Sequence, residues 1–381
     1  MTRLQPPSRT MRALPVLAAL AMLASCSQEG PPPIPPIEPE ALEAVVVEPG
    51  VSREALARIV DALFTAEGVG ETRAVIVMHE GEIVAERYAD GFDADTRQVG
   101  WSLSKAVTAA LVGMLVSDGR LALDDPAPVE RWARSGDPRG EITLRHLLQM
   151  RSGLRHQEQA EPVYTSAEVR MMFLDGRGDM AAWAEAQPLE HDPGTTFAYS
   201  TPTTVILSDI ATDVIAPDGD PDTRQAAMAE YIDSRLAGPL GMTTLVGEYD
   251  ASGTLLGGSN FWASPRDWAR FGEFLRNGGS VGGTQVLPRG WVDFMRTPSP
   301  ASPDYGGQIW LNRPSGVEDR DVLFADQGPE SAFALVGYRG QYVIVSPEQR
   351  LTVVRLGASE GDQFPAIIDL LDDIFALYPS R

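Results

Sequence analysis

The 381-residue sequence contains one lysine, Lys105, one cysteine, Cys26, and four histidines, His79, His146, His156 and His191. Each scarcity excludes something. A lone cysteine forms no intramolecular disulfide and builds no cysteine-rich zinc site. No two histidines stand at metal-ligand spacing, so neither a metal nor any other cofactor is expected. Basic residues are outnumbered, 31 Lys plus Arg against 53 Asp plus Glu, for a formal net charge of −22. That deficit removes the attraction for phosphate on which nucleic-acid binding mainly rests, and no nucleic-acid partner is expected. What is present, 43% hydrophobic and 22% charged residues, is ordinary for a folded globular chain. Arginine supplies all but one of the basic residues, which makes the shortage of lysine a compositional habit. The habit does not explain where the surviving lysine sits.

Residues 1–25 read as an address rather than as part of the fold. Arg3, Arg9 and Arg12 precede an apolar run from Ala13 to Ala24, the basic and hydrophobic regions of a secretory signal, too short to span a bilayer stably. The run ends Leu23-Ala24-Ser25-Cys26, which resembles the lipobox of bacterial lipoproteins, where the signal is cut before a cysteine that is then lipidated. The expectation is a chain exported and anchored through Cys26 at the periplasmic face of a bacterial membrane. Residues 26–50 follow as a tether: Gly30 to Pro39 holds six prolines and favours an extended spacer, at about 3.1 Å per residue. No other segment is apolar enough to cross a bilayer.

Residues 51–381 read as one domain. Ser52 caps a predicted helix whose Leu56, Ile59, Val60, Leu63 and Phe64 share a face. Ala74–Met78 and Glu82–Ala85 predict a hairpin across Gly81. Near the other end, 332–337, 341–346 and 351–356 predict three strands, and 364–378 an amphipathic closing helix. Between them lie helical patterns, including Val107, Leu111, Met114 and Leu115 before Gly119, and 268–276 before Gly278-Gly279. Strands from both chain ends then form one antiparallel sheet, with terminal helices on a face and a mainly helical lobe, roughly 106–320, inserted between them. That is an α+β arrangement rather than a βαβ repeat.

The chemistry converges on Gly100-Trp101-Ser102-Leu103-Ser104-Lys105. In a helix starting near Ser102, positions i and i+3 share a face. The helix N-terminus favours negative charge on the serine oxygen, and the same field, with burial, lowers the lysine pKa. A neutral amine then takes the hydroxyl proton and leaves a nucleophile for an acyl carbonyl. Arginine cannot do this, because its guanidinium does not deprotonate in proteins.

Ser102-Leu103-Ser104-Lys105 resembles the Ser-x-x-Lys motif of the serine β-lactamase and penicillin-binding superfamily. Tyr199-Ser200-Thr201 resembles its Tyr-x-Asn motif, and Tyr338-Arg339-Gly340-Gln341 its Lys/His/Trp-x-Gly strand. Residues 143–154 and 266–272 are similar to stretches of the class C-like branch, with the nearest likeness to 6-aminohexanoate-dimer hydrolase and esterase members. The resemblance implies a β-lactamase/DD-peptidase-like fold. It implies Ser102 as the acylated nucleophile, Lys105 as base, Tyr199 as proton relay, and the backbone N–H groups of Ser102 and Gln341 as the oxyanion hole. Thr201, Tyr338, Arg339 and Gly340 are the implied substrate-binding positions.

Two departures narrow the substrate. Thr201 stands where β-lactamases have Asn, and Tyr338 where they have the Lys that helps hold a substrate carboxylate; Arg339 is the alternative cation. Both argue for a carboxylic ester or small linear amide as the partner molecule. The alternatives are an acyl-binding sensor without turnover and a weak β-lactamase or D-alanyl peptidase. Gly278-Gly279-Ser280-Val281-Gly282 fits a nucleophile elbow, but a predicted helix precedes it and the glycines read as its cap. Asp218–Asp222 reads as an acidic turn rather than a calcium loop, and His146 as a structural helix residue.

Overall fold

The structure, a computed structural model, describes residues 36–317, 322–325 and 327–380. The signal segment and Cys26 lie outside them. Six strands form one antiparallel sheet: β1 (Glu71–His79), β2 (Glu82–Tyr88), β3 (Trp310–Leu311), β4 (Phe333–Gly337), β5 (Gln341–Ser346) and β6 (Leu351–Ala358), in the order β2-β1-β6-β5-β4-β3. The hairpin turns at Gly81, where φ is +93°. β1 from the beginning of the body lies beside β6 from its end, which closes the sheet across the inserted lobe.

Both faces of the sheet are covered, and the two-residue period of the strands divides their side chains. Val75 and Val77 of β1, Ile344 of β5 and Val353 of β6 pack under α1 (Arg53–Thr65) and the C-terminal helix (Phe364–Leu377), against Leu56, Val60, Leu63, Leu371 and Phe375. Ala74 and Ile76, with Val343, Val345, Val354 and Leu356, face the other way, into the lobe. A sheet buried on both faces reads as unbroken apolar runs, which is how these strands stand out in the sequence. The lobe contributes α2 (Ser104–Ser117), α3 (Thr201–Ile215) and α4 (Pro265–Arg276), with shorter helices between. Ser52 caps α1 through the Ala55 amide. The 278–282 motif does follow a helix, with Gly278 and Gly279 at positive φ closing α4. Asp220 caps the helix Pro221–Ile232, and His146 forms a capping box with Thr143.

One boundary moves. Residues 37–50, assigned above to the tether, belong to the folded body. Pro39–Glu43 is helical, Ala41 and Val45 are buried, and residues 44–46 bond to Val84 and Glu86 along the open edge of β2. Arg53 fixes the segment by donating to the Leu42 and Val45 carbonyls. The cause is physical: an uncovered edge strand is a pairing hazard, and apolar residues at 41 and 45 find burial there. Among the described residues no helix is long and apolar enough to cross a membrane.

His156 marks the lobe's interior. Its ring is buried between Thr203 Oγ1, 3.0 Å from Nδ1, and the Ala184 carbonyl, 2.9 Å from Nε2, and burial pushes its pKa down to about 4. The unfolded chain takes up this proton near pH 6.5, well before the folded chain does. Stability owed to a neutral His156 is therefore fully present above about pH 6.5 and drains away as pH falls toward about 4. Urea denaturation at stepped pH checks this: the stability difference between wild type and His156→Gln should shrink across that window. A difference independent of pH would show that the ring is not held neutral.

Candidate active site

Ser102 lies in a 3-10 turn, Trp101–Leu103, that runs straight into α2. The turn is pinned from the strand Phe261–Ala263: the Gly100 amide donates to the Phe261 carbonyl (2.8 Å), and the Phe261 amide donates to Ser104 Oγ (3.0 Å). Gly100 is required here, since a Cβ would come within 2.3 Å of the buried Trp268 ring. The 266–272 stretch thus packs directly against the serine turn. Trp101 sits at φ +48°, a left-handed conformation that costs a non-glycine residue of order 1–3 kcal/mol and occurs preferentially at functional sites. Its neighbour Ser102 stays half-buried.

One turn on, Lys105 is 1% exposed. Its Nζ lies 2.9 Å from Ser102 Oγ, 3.0 Å from Thr201 Oγ1 and 2.8 Å from the Gly258 carbonyl, and 4.9 Å from the centre of the Tyr199 ring. Burial drives the lysine pKa down, while the charges of Glu158 and Glu168 pull partly the other way. Tyr199 precedes α3 by two residues, and its phenol lies near enough to Ser102 for that hydroxyl to favour the phenolate slightly. Burial, and then the Glu158 charge, push its phenol far above the ordinary range, so it is protonated at rest. The ring stacks on Trp310 at 5.4 Å and meets Tyr305 edge-on at 5.9 Å, and Tyr305 lies edge-on to Trp310 at 4.9 Å. These rings make an aromatic wall beside the serine.

Two carboxylates complete the cluster, and neither was singled out by sequence. Glu158 accepts the Thr201 amide on Oε2 and the Thr201 hydroxyl on Oε1, both at 2.6 Å. Glu168, on the short helix Ala167–Phe173, is pushed up to about 7, first by burial and then by the charge of Glu158, against a smaller opposite pull from Lys105.

The four positions Ser102, Lys105, Tyr199 and Thr201 are thus brought together. The remaining expected positions separate. Tyr338, at the end of β4, meets the Trp101 ring edge-on at 5.5 Å. Gly337 beside it packs so closely that a Cβ would stand 2.4 Å from the Gly100 carbonyl. Arg339 turns outward to an ion pair with Glu360. The Gly340 carbonyl accepts from the fully buried Arg355 at 2.8 Å. Gln341 pairs with Gly337 in the β4–β5 ladder, and its side chain bonds both backbone groups of Gly357 on β6. The stretch lying against the serine turn is therefore 337–338, three residues before the glycine expected from sequence.

Comparison with known proteins agrees with this fold. A 6-aminohexanoate-dimer hydrolase from Paenarthrobacter ureafaciens is 28% identical over 259 residues, which span 66% of this chain and 63% of that relative. A Bacillus anthracis structure, described provisionally as a 6-aminohexanoate-dimer hydrolase, superposes with a TM-score of 0.64 at 22% identity, covering 80% of this chain and 79% of that one. A family VIII carboxylesterase superposes with a TM-score of 0.60 at 16% identity, covering 87% and 97%. Residues 56–374 match the model of the Beta-lactamase family, and the chain belongs to that family.

Proposed function

We propose that this protein is a serine hydrolase that cleaves a carboxylic ester or small linear amide through an acyl-enzyme on Ser102. One observation carries the reading: a buried amine, Lys105 Nζ, stands 2.9 Å from the hydroxyl of an accessible serine. Burial favours the neutral amine, so Lys105 is the resting base, whereas Tyr199 is a neutral phenol and a proton donor. Ser102 Oγ forms a bond to the acyl carbon as its proton passes to Lys105. Collapse of the tetrahedral adduct expels the alkoxide or amine, which takes a proton from Tyr199, and Lys105 reprotonates the phenolate. Water then repeats the sequence on the ester of Ser102.

The developing oxyanion needs two N–H donors close to the serine. The Ser102 amide is one. For the second, the packing of Gly337 on Gly100 supports the Tyr338 amide in place of Gln341, whose residue sits within the ladder. With that register Leu335 takes the place of the motif lysine, and Arg339 is occupied by Glu360. Neither offers a cation to a β-lactam carboxylate, and Glu158 and Glu168 would repel one. The similar proteins, a 6-aminohexanoate-dimer hydrolase and a family VIII carboxylesterase, point the same way. We also propose export and lipid anchoring through Cys26; membrane-fraction labelling by a radioactive fatty acid, lost in Cys26→Ser, checks it.

A p-nitrophenyl ester assay tests the reaction. A burst of nitrophenolate followed by steady turnover is expected; a single stoichiometric burst would identify an acyl-binding sensor instead. Ser102→Ala should abolish the burst. Lys105→Arg keeps the charge but not the base, and should lower the acylation rate by roughly 10²–10⁴-fold, the worth of a positioned general base. Near-normal acylation in that variant would overturn the mechanism.

A further inference from the structure

Donor and acceptor accounting at Lys105 assigns a task to Glu158. A neutral lysine amine has two N–H donors and one lone pair, and Lys105 Nζ has three oxygen neighbours. The Gly258 carbonyl can only accept, so it takes one N–H. Thr201 Oγ1 is 2.6 Å from a Glu158 carboxylate oxygen, which can only accept, so the threonine proton is committed there. The threonine oxygen therefore takes the second N–H. The lone pair is left for the third neighbour, the hydroxyl of Ser102.

We propose that Glu158 is a positioning residue for acylation: by holding the Thr201 proton it aims the lone pair of Lys105 at Ser102, and by its charge it steadies the lysine once protonated. The inference rests on the reading of Ser102 and Lys105 given above. Without the carboxylate, the Thr201 hydroxyl is free to turn and donate to the lysine itself, competing with Ser102 for the lone pair. Once the serine proton arrives, the same three oxygens accept the three N–H groups of the ammonium, with the Glu158 charge one hydroxyl away.

A bland role has to be separated from this one. Glu158 also accepts the Thr201 amide at the first turn of α3, where any anion is stabilising. A cap of that kind affects stability and has no reason to move a titration. The groups facing Lys105 are Glu158, Glu168, the Tyr199 phenol and the Ser102 and Thr201 hydroxyls, and Tyr305 faces Glu158 from the aromatic wall. Either carboxylate could set the acid limb, and each has its own variant.

The probe is a p-nitrophenyl phosphonate, which Ser102 attacks with release of nitrophenolate and transfer of the serine proton to Lys105. Its second-order rate is measured against pH for wild type, Glu158→Gln, Glu168→Gln, Thr201→Val and the Glu158→Gln/Thr201→Val double variant. Removing the Glu158 charge should move the acid limb to lower pH, because the lysine loses a group that favours its protonated form. The plateau should fall by roughly tenfold to a hundredfold, the worth of a hydrogen bond to a charged group. Thr201→Val should show a similar loss, and the double variant should be no slower than the slower single one, since both break one chain of bonds. Glu168→Gln should move the limb less. A plateau that falls with the limb unmoved, fully multiplicative losses in the double variant, or a limb that moves in Glu168→Gln alone would overturn the proposal. Labelling of Ser102 in wild type with any of those results leaves the hydrolase reading standing. An unlabelled wild-type Ser102 overturns both.

Discussion

A desolvated amine is the constraint on which the rest of this site depends. Lys105 is buried with no carboxylate in direct contact among the described residues, held by a hydroxyl, a carbonyl and a second hydroxyl. Burying an ammonium without a direct counter-ion disfavours the charged form. The two nearby acids limit the effect without cancelling it: Glu158 acts through Thr201, and Glu168 is itself pushed toward neutrality. The result is an amine whose charge state is set by its surroundings, next to a half-buried serine.

The fold delivers this arrangement from widely separated parts of the chain. The serine and lysine come from the start of α2, the tyrosine and threonine from the start of α3, the carbonyl from Gly258, and the backbone packed on the serine turn from the end of β4. Two helix beginnings and a strand end meet at one point, so the positive ends of two helix dipoles lie close to it. Trp268 and Gly100 set the distance between the turn and α4, and Gly337 sets how near β4 can come. Arg355 holds the hairpin after β4 from behind, through the carbonyls of Gly340, Glu71 and Val69.

Much of this was legible in the sequence, for identifiable reasons. The central strands are buried on both faces and largely apolar, so their runs appear almost at their observed limits, whereas the two-residue strand Trp310–Leu311 is too short to show a pattern. Ser52 and Gly278-Gly279 are local signals with local consequences. The pair Ser102 and Lys105 is joined by helical spacing alone, and the rarity of lysine draws the eye to it. What escaped notice depends on contacts between distant segments. Glu158 is one acid among 53 in a loop without periodicity, and only the folded chain places it on Thr201. In sequence, Gly340 looks as suitable for the third motif as Gly337. What separates them is the approach of Gly100, about 240 residues earlier in the chain. The residues after Pro36 look like more tether because their few apolar side chains carry no pattern, and their burial against β2 is tertiary.

The central claim is the charge state of one amine, and the composition makes it directly measurable. A chain labelled with [ε-15N]lysine carries a single labelled side chain, because Lys105 is its only lysine. Following its Nζ resonance against pH in the full-length protein reads the titration without overlap. The account predicts a midpoint clearly below the ordinary lysine value of about 10.4, moving upward when Ser102 is left intact and the burial is relieved by unfolding in urea. A folded-state midpoint at or above the ordinary value would contradict it, because the amine next to Ser102 would then be charged and have no lone pair to offer.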